Sequence, residues 1–320
     1  MIAVYLENGR VSVREVPAPE RPHGFARIRT LTAGICNTDI ELQRGYYAFE
    51  GIPGHEFVGE VLEADNPDLI GKRVVGEINL TCGACDWCAK GLGRHCPTRT
   101  VLGIVKHPGA FAEQLTLPER NLHIVPDEIP TETAVFTEPL AAAFEILEQV
   151  TIPKGAPVAV LGDGKLGLLI AQVLEIHGAR VHHFGRHEEK LRISEAAGIE
   201  TELIDGKLPV AAYGWVVDAT GSVRGLQQAI SMTRPRGTLI LKSTVADPVT
   251  IDTAGIVVNE LNIVGSRCGP FEPALAALRE NRISVGDMIA AEYPLDRAAA
   301  AFAHAARRGT LKVLLQGHQM

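Results

Sequence analysis

Cys82, Cys85, Cys88 and Cys96 stand in the run TCGACDWCAKGLGRHC, two CxxC steps followed by a longer one. Two-residue gaps let successive thiolates of a tight turn converge on one ion while the fourth returns from the far side of a loop, so the spacing reads as a structural zinc site. With every position filled by protein, such a site holds a lobe together and does no chemistry. A pair of disulfides is the competing reading, opposed by the short spacing and by the lack of a secretory signal. A second set of metal-capable side chains lies outside that run: Cys36 in GICNTD, His55 and Glu56 in PGHEFVG, and Glu138 in TEPL. Three protein ligands plus a free position is the coordination of a zinc that works as a Lewis acid on substrate oxygen. Taken singly, each of these residues is equally compatible with ordinary burial or hydrogen bonding.

The third constellation is Gly162-Asp163-Gly164-Lys165-Leu166-Gly167, directly after the apolar run Val158 to Leu161 and at the head of an apolar helical stretch. In that strand, turn, helix context the first glycine permits the turn, the second lets backbone approach a pyrophosphate, and the third lets helix pack on strand. The helix N-terminus then offers free N–H groups to the phosphate. At the end of the next strand an acid would bind the adenosine ribose, but the text there is Val181-His182-His183-Phe184-Gly185-Arg186-His187. Gly185 clears space where a carboxylate would repel a 2′-phosphate, and Arg186 can bind that phosphate bidentately, which favours NADP(H) over NAD(H). The alternative is that Arg186 is a solvated surface charge.

These residues need two kinds of scaffold. Up to about residue 130, short β-type runs such as Phe25 to Thr30, Phe57 to Leu62 and Arg73 to Glu77 are bounded by Gly and Pro, which predicts an irregular, barrel-like β domain. From Ala156 the pattern becomes strands at Pro157 to Leu161, Arg180 to Gly185, Trp215 to Asp218, Gly237 to Lys242 and Asn262 to Gly265, with helical stretches Leu166 to Ile176 and Glu188 to Ala197 between the early ones. Such alternation predicts a parallel sheet covered by helices. The tail, with a helix over Leu295 to Arg307 and a strand at Leu311 to Leu315, is expected to return to the first domain. The domain assignment is therefore 1–139 with 287–320, carrying the zinc lobe at about 80–97, and 140–286 for the dinucleotide domain.

A length of 320 residues, 46% hydrophobic and 22% charged, describes a globular protein of two domains. The net charge of −7, with no long basic run, argues against nucleic acid as a partner. No uninterrupted apolar stretch reaches about 18 residues, so neither a membrane span nor a leader is expected, and the reducing cytoplasm is the expected compartment.

The order of the pieces carries more than any one of them. GICNTD, PGHEFVGEV, CGACDWC with Cys96, TEPLA, GDGKLG and VVDATG resemble, over essentially the whole chain, the zinc-dependent medium-chain dehydrogenase/reductase family of alcohol, sorbitol and threonine dehydrogenases. The resemblance implies an α/β fold, with a GroES-like β-rich catalytic domain split around a Rossmann domain. It implies that Cys36 and His55 hold catalytic zinc and that Glu56 and Glu138 supply the carboxylates, either of which can bind directly. It also implies that Thr38 passes the alcohol proton onward, that Asp39 orients the ligand histidine, and that Ala219 and Thr220 and the loop Gly265-Ser266-Arg267 line the nicotinamide. Glu41 departs from the pattern, since many relatives have a histidine there that completes a proton relay. Glu138 in place of a cysteine is closer to the polyol and sugar branch. The implied reaction is hydride transfer between NADP(H) and a secondary alcohol, polyol or sugar, or the matching ketone or aldehyde, in a homodimer or homotetramer. A metal-free quinone or enoyl reductase and a non-catalytic NADPH-binding protein are the rival readings.

Overall fold

The computed structural model describes residues 1–243 and 250–317, which divide into two compact units. One comprises Met1–Glu138, Ala274–Glu280 and the chain from Ile289, and the other comprises Pro139–Pro273 with Asn281–Met288. The architecture is the α/β combination of a GroES-like β unit and a Rossmann sheet.

The first unit is organised by the strand Phe25–Ile35, whose residues alternate between half-buried and buried before becoming wholly buried toward Cys36. This period of two is what a sheet with one covered face demands. The strand pairs antiparallel with Glu56–Glu63 on one side, and on the other with Gln114–Pro118 along its first half and Lys312–Gln316 along its second. The chain's last described strand thus lies beside one of its earliest. Arg73–Gly76 and Leu122–Ile124 extend the sheet outward from Glu56–Glu63. A small three-stranded sheet of Asn79–Leu80, Thr100–Leu102 and Lys106–His107 flanks the cysteine run.

The second unit is a six-stranded parallel sheet in the order Glu200–Leu203, Arg180–Gly185, Pro157–Leu161, Tyr213–Asp218, Thr233–Leu241, Asn262–Gly265. This is the doubly wound order that reverses beside the first strand, where such sheets bind dinucleotides. Pro157–Leu161 is almost wholly buried because helices cover both faces, which explains its continuous apolar text. Phe184, Val216, Leu226, Ala229, Met232 and Leu239 pack around Ala159 and Leu161 as one core cluster. Among the elements not expected are the strand Glu200–Leu203 and the helix Val223–Met232, the latter opened by Ser222, whose hydroxyl accepts from the Gly225 amide. The tail helix is shorter than its sequence pattern, running as a 3-10 turn at Leu295–Arg297 and an α-helix at Ala298–Ala305. Among the described residues no helix is long and apolar enough to cross a membrane.

Candidate functional site

Cys36 ends the long strand and caps the helix Asn37–Gln43, a position fixed by Asp39: one carboxylate oxygen accepts from the Cys36 amide at 2.8 Å, the other from the Gly54 amide at 3.2 Å. Asp39 is fully buried, and its second oxygen lies 3.5 Å from His55 Nδ1. One carboxylate therefore ties together the two loops that carry Cys36 and His55. Burial alone would keep His55 neutral, yet the charges of Asp39 and Cys36 outweigh it and raise its pKa well above the ordinary 6.5. Thr38 Oγ1 stands 3.8 Å from Cys36 Sγ. Glu41, in contrast, pairs with Arg44 of its own helix at 2.7 Å.

Ligand atoms of Cys36, His55 and Glu56 all lie within 4.8 Å of one another. Two buried polar atoms here, His55 Nδ1 and Glu56 Oε1, have no hydrogen-bond partner among the described residues. Unpartnered polar atoms at this depth carry a cost of about 1–3 kcal/mol each, and a thiol, an imidazole and a carboxylate converging with such atoms fit a zinc ion. Glu138, in the first turn of the helix Thr137–Gln149, is not a member of that 4.8 Å group, although its charge acts on the same neighbour, Lys312.

Lys312 was not foreseen from the sequence. Its side chain is 1% exposed, its ammonium donates to Glu56 Oε2, and it sits 5.7 Å from the centre of the Phe136 ring. Burial pulls its pKa down, but Glu56 first, then Cys36 and Glu138, hold it above the ordinary 10.5, so the ammonium is charged. The one signal in the text is a lone cation heading the apolar run KVLL.

The four cysteines of the second cluster also bring their sulfurs within 4.8 Å of one another, with Cys85 and Cys88 at 3.5 Å and Cys82 and Cys88 at 4.0 Å. All four are free thiols, so the disulfide alternative does not hold. The backbone amide of Cys82 and the Thr98 hydroxyl pull Cys96 down to about 6. Cys85 is pushed up to about 11, since burial and the adjacent sulfurs outweigh the pull of the Cys88 amide. Four sulfurs at this separation suit a shared divalent cation.

In the second unit, the residues singled out for the dinucleotide follow the carboxyl ends of the parallel strands, where open sheets bind ligands. Gly162 turns the chain with φ 110°, and Gly167 packs so tightly that a Cβ there would sit 1.8 Å from the Gly162 carbonyl oxygen. Gly164 caps the helix Lys165–His177, which carries Lys165 and Leu166 in its first turn. Below the turn, fully buried His183 is held neutral by burial, donates from Nε2 to the Gly162 carbonyl at 2.9 Å and accepts from Ser194 at 2.8 Å. Asp218 folds the Ala219-Thr220 loop by accepting from the Thr220 amide at 2.9 Å and its hydroxyl at 2.7 Å. Lys242, another residue missed in the sequence, donates to Ser266 Oγ at 3.1 Å and the Arg267 carbonyl at 3.0 Å, while Gln149 donates to the Gly265 carbonyl. Arg186 is exposed and Gly185 is buried. The corner is not free of carboxylate, as the strand end alone implied: Asp163, from the glycine turn, fills the space over Gly185.

A GroES-like β unit carrying a half-buried Cys beside a buried His and Glu, followed by a Rossmann sheet, defines the alcohol dehydrogenase class of oxidoreductases. Residues 22–127 match the model of the alcohol dehydrogenase GroES-like domain, and residues 166–280 match the model of the zinc-binding dehydrogenase domain. The chain is 31% identical to the sorbitol dehydrogenase of Halalkalibacterium halodurans over 96% of each sequence. It is 30% identical to the D-altritol 5-dehydrogenase of Agrobacterium fabrum over 91% of each. Among solved structures, a zinc-binding dehydrogenase from Sinorhizobium meliloti 1021 bound to NADP superposes with a TM-score of 0.89 at 28% identity, covering 98% of both chains. The alcohol dehydrogenase TADH from Thermus sp. ATN1 does so with a TM-score of 0.89 at 29% identity, covering 99% of both. The chain belongs to the zinc-type medium-chain dehydrogenase/reductase family.

Proposed function

We propose that this protein is a zinc-dependent polyol dehydrogenase that moves a hydride between a secondary alcohol, polyol or sugar, or the corresponding ketone or aldehyde, and NADP(H). The observation that carries the reading is the convergence of half-buried Cys36 with buried His55 and Glu56, two of whose atoms are unpartnered among the described residues. Similarity to the sorbitol and D-altritol dehydrogenases supports the substrate class, and similarity to the NADP-bound Sinorhizobium structure supports the cofactor.

In this reading Cys36, His55 and a carboxylate from Glu56 or Glu138 hold the zinc, which when bound lowers the pKa of a substrate hydroxyl as a Lewis acid. The nicotinamide supplies the hydride acceptor or donor. Thr38, beside Cys36, takes the hydroxyl proton and returns it in the reverse direction. Asp39 keeps His55 and Cys36 at fixed separation, so that no reorganisation is needed when substrate arrives. Lys312 sets an ammonium against the Glu56 carboxylate in a buried site. The structural zinc belongs on Cys82, Cys85, Cys88 and Cys96, thiolates that the reducing cytoplasm keeps available.

The Gly162 to Gly167 turn and the loops at Ala219-Thr220 and Gly265-Arg267 receive the cofactor, with Arg186 on the 2′-phosphate. Assembly as a homodimer or homotetramer is supported by the outermost strand Asn262–Gly265, largely exposed, beside exposed Val257 and Val258. The test is absorbance of reduced nicotinamide with zinc-loaded protein, NADP⁺ or NAD⁺, and a panel of alcohols, polyols and sugars. Turnover with NADP⁺ is expected. Turnover with NAD⁺ alone would overturn the cofactor assignment, and reduction of quinones or enones in zinc-stripped protein would overturn the metal mechanism.

A further inference from the structure

Asp163 lies between the first two glycines of the phosphate-binding turn, yet its side chain is directed to the end of the neighbouring strand. Its Oδ2 accepts from the Arg186 amide and, at 2.8 Å, from the His187 amide. His187 Nδ1 lies 3.1 Å from Oδ1 and 3.0 Å from Oδ2, and Lys190 Nζ lies 3.8 Å from Oδ1. The carboxylate is thus surrounded by donors, and the side chain is 10% exposed.

Gly185 is the other half of the arrangement. A Cβ there would stand 2.8 Å from both Asp163 Cβ and Oδ2, and 2.8 Å from Leu191 Cδ2, so an acid at the strand end and Asp163 exclude one another. A carboxylate whose oxygens already receive two amides and an imidazole has little left to offer a ribose hydroxyl. Its charge, moreover, is opposed by buried Lys190. Arg186 is the opposite case: exposed, and with no ion pair of its guanidinium among the described residues. The corner therefore presents one uncompensated cation to solvent from a backbone that is held at two successive amides.

Resting on the NADP(H) reading above, we propose that Asp163 is the positioning residue for 2′-phosphate selectivity: it pins the Gly185-Arg186-His187 corner so that the Arg186 guanidinium is presented to the adenosine 2′-position. The carboxylate that the ribose of NAD(H) would need at the strand end is replaced by one in the glycine turn that faces inward and works through the backbone. Desolvation raises the Asp163 pKa, but the Arg186 amide and His187 outweigh it and hold the carboxyl below its ordinary value, as an anion at neutral pH.

The test uses zinc-loaded full-length protein and isothermal titration calorimetry with 2′,5′-ADP and 5′-AMP, which differ only in the 2′-phosphate. Wild type should bind 2′,5′-ADP about ten- to a hundredfold more tightly than 5′-AMP, the range expected for a charge-assisted bidentate contact. In R186A the preference should disappear. In D163A it should fall by about tenfold while 5′-AMP affinity moves less than about threefold, and D163A/R186A should resemble R186A. D163N, which keeps one acceptor oxygen, should lie between wild type and D163A. A wild-type preference in D163A, or an equal loss of both ligands with the ratio intact, would overturn the inference and leave Asp163 a merely structural residue. A wild type that does not distinguish the two ligands would overturn the NADP(H) reading itself, and this inference with it.

Discussion

Replacing Lys312 by Met removes one member of a buried ion pair while nearly preserving volume. Both side chains are 1% exposed, so Glu56 would be left as an uncompensated anion beside Cys36 and Glu138. Breaking a buried pair from one side costs about 3–5 kcal/mol, far more than the pair itself contributes. At roughly 2–4 °C per kcal/mol for a unit of this size, the thermal midpoint of metal-free protein should fall by roughly 6–20 °C. The double variant K312M/E56Q carries no charge at either position and should recover at least half of that loss. Zinc-loaded K312M should also lose less than the metal-free form, because a divalent cation beside Glu56 replaces the missing ammonium. The measurement is circular dichroism melting of the three proteins with and without chelator. A K312M midpoint within about 2 °C of wild type, or a double variant that melts below K312M, would refute the reasoning. The pair also sets a direction with pH. The Lys312 pKa is raised in the fold, so its contribution is complete below the ordinary 10.5 and is lost as pH rises through the folded value.

Cys36→Ala should retain fold and nucleotide binding but lose turnover with every alcohol, checked by steady-state kinetics beside zinc content. Thr38→Val should keep zinc and lower kcat by about 10²–10⁴-fold if the hydroxyl moves the substrate proton, with KM little changed. Chelation, or Cys96→Ser, should expose the 82–96 segment to proteolysis, a loss that zinc reverses in wild type only. His183 has a folded pKa below the ordinary 6.5, so its contribution is present above 6.5 and lost as pH falls through the folded value. Stability should accordingly decline as pH falls below the ordinary 6.5, and thermal melting across that range would show it.

What the sequence made legible is what is local in it. Thiolates two residues apart converge because one turn carries them, and a glycine turn after an apolar run is a strand meeting a helix whatever surrounds it. The parallel sheet, though not the order of its strands, followed from the alternation of elements. Glu200–Leu203 escaped notice because an outermost strand reading ETEL has half-polar text without the apolar run that marks a central strand. Gly185 was read as vacant space, whereas the side chain that occupies it comes from the adjacent parallel strand's turn, a neighbour that periodicity along one strand cannot name. Lys312 was invisible for the same reason at greater distance, since its partner precedes it by 256 residues.

That distance has a meaning in time. A ribosome adding about 5–20 residues per second reaches Lys312 roughly 10–50 s after Glu56 has emerged. Until then the strand Phe25–Ile35 lacks the neighbour that covers its second half, and Glu56 has no ammonium against it. The nascent site is consequently a more anionic and more hydrated donor set than the finished one, and so a less discriminating trap for divalent ions. On the zinc reading, fidelity in choosing the metal would be acquired only when Lys312–Gln316 pairs with Phe25–Ile35, later than the emergence of the ligands themselves.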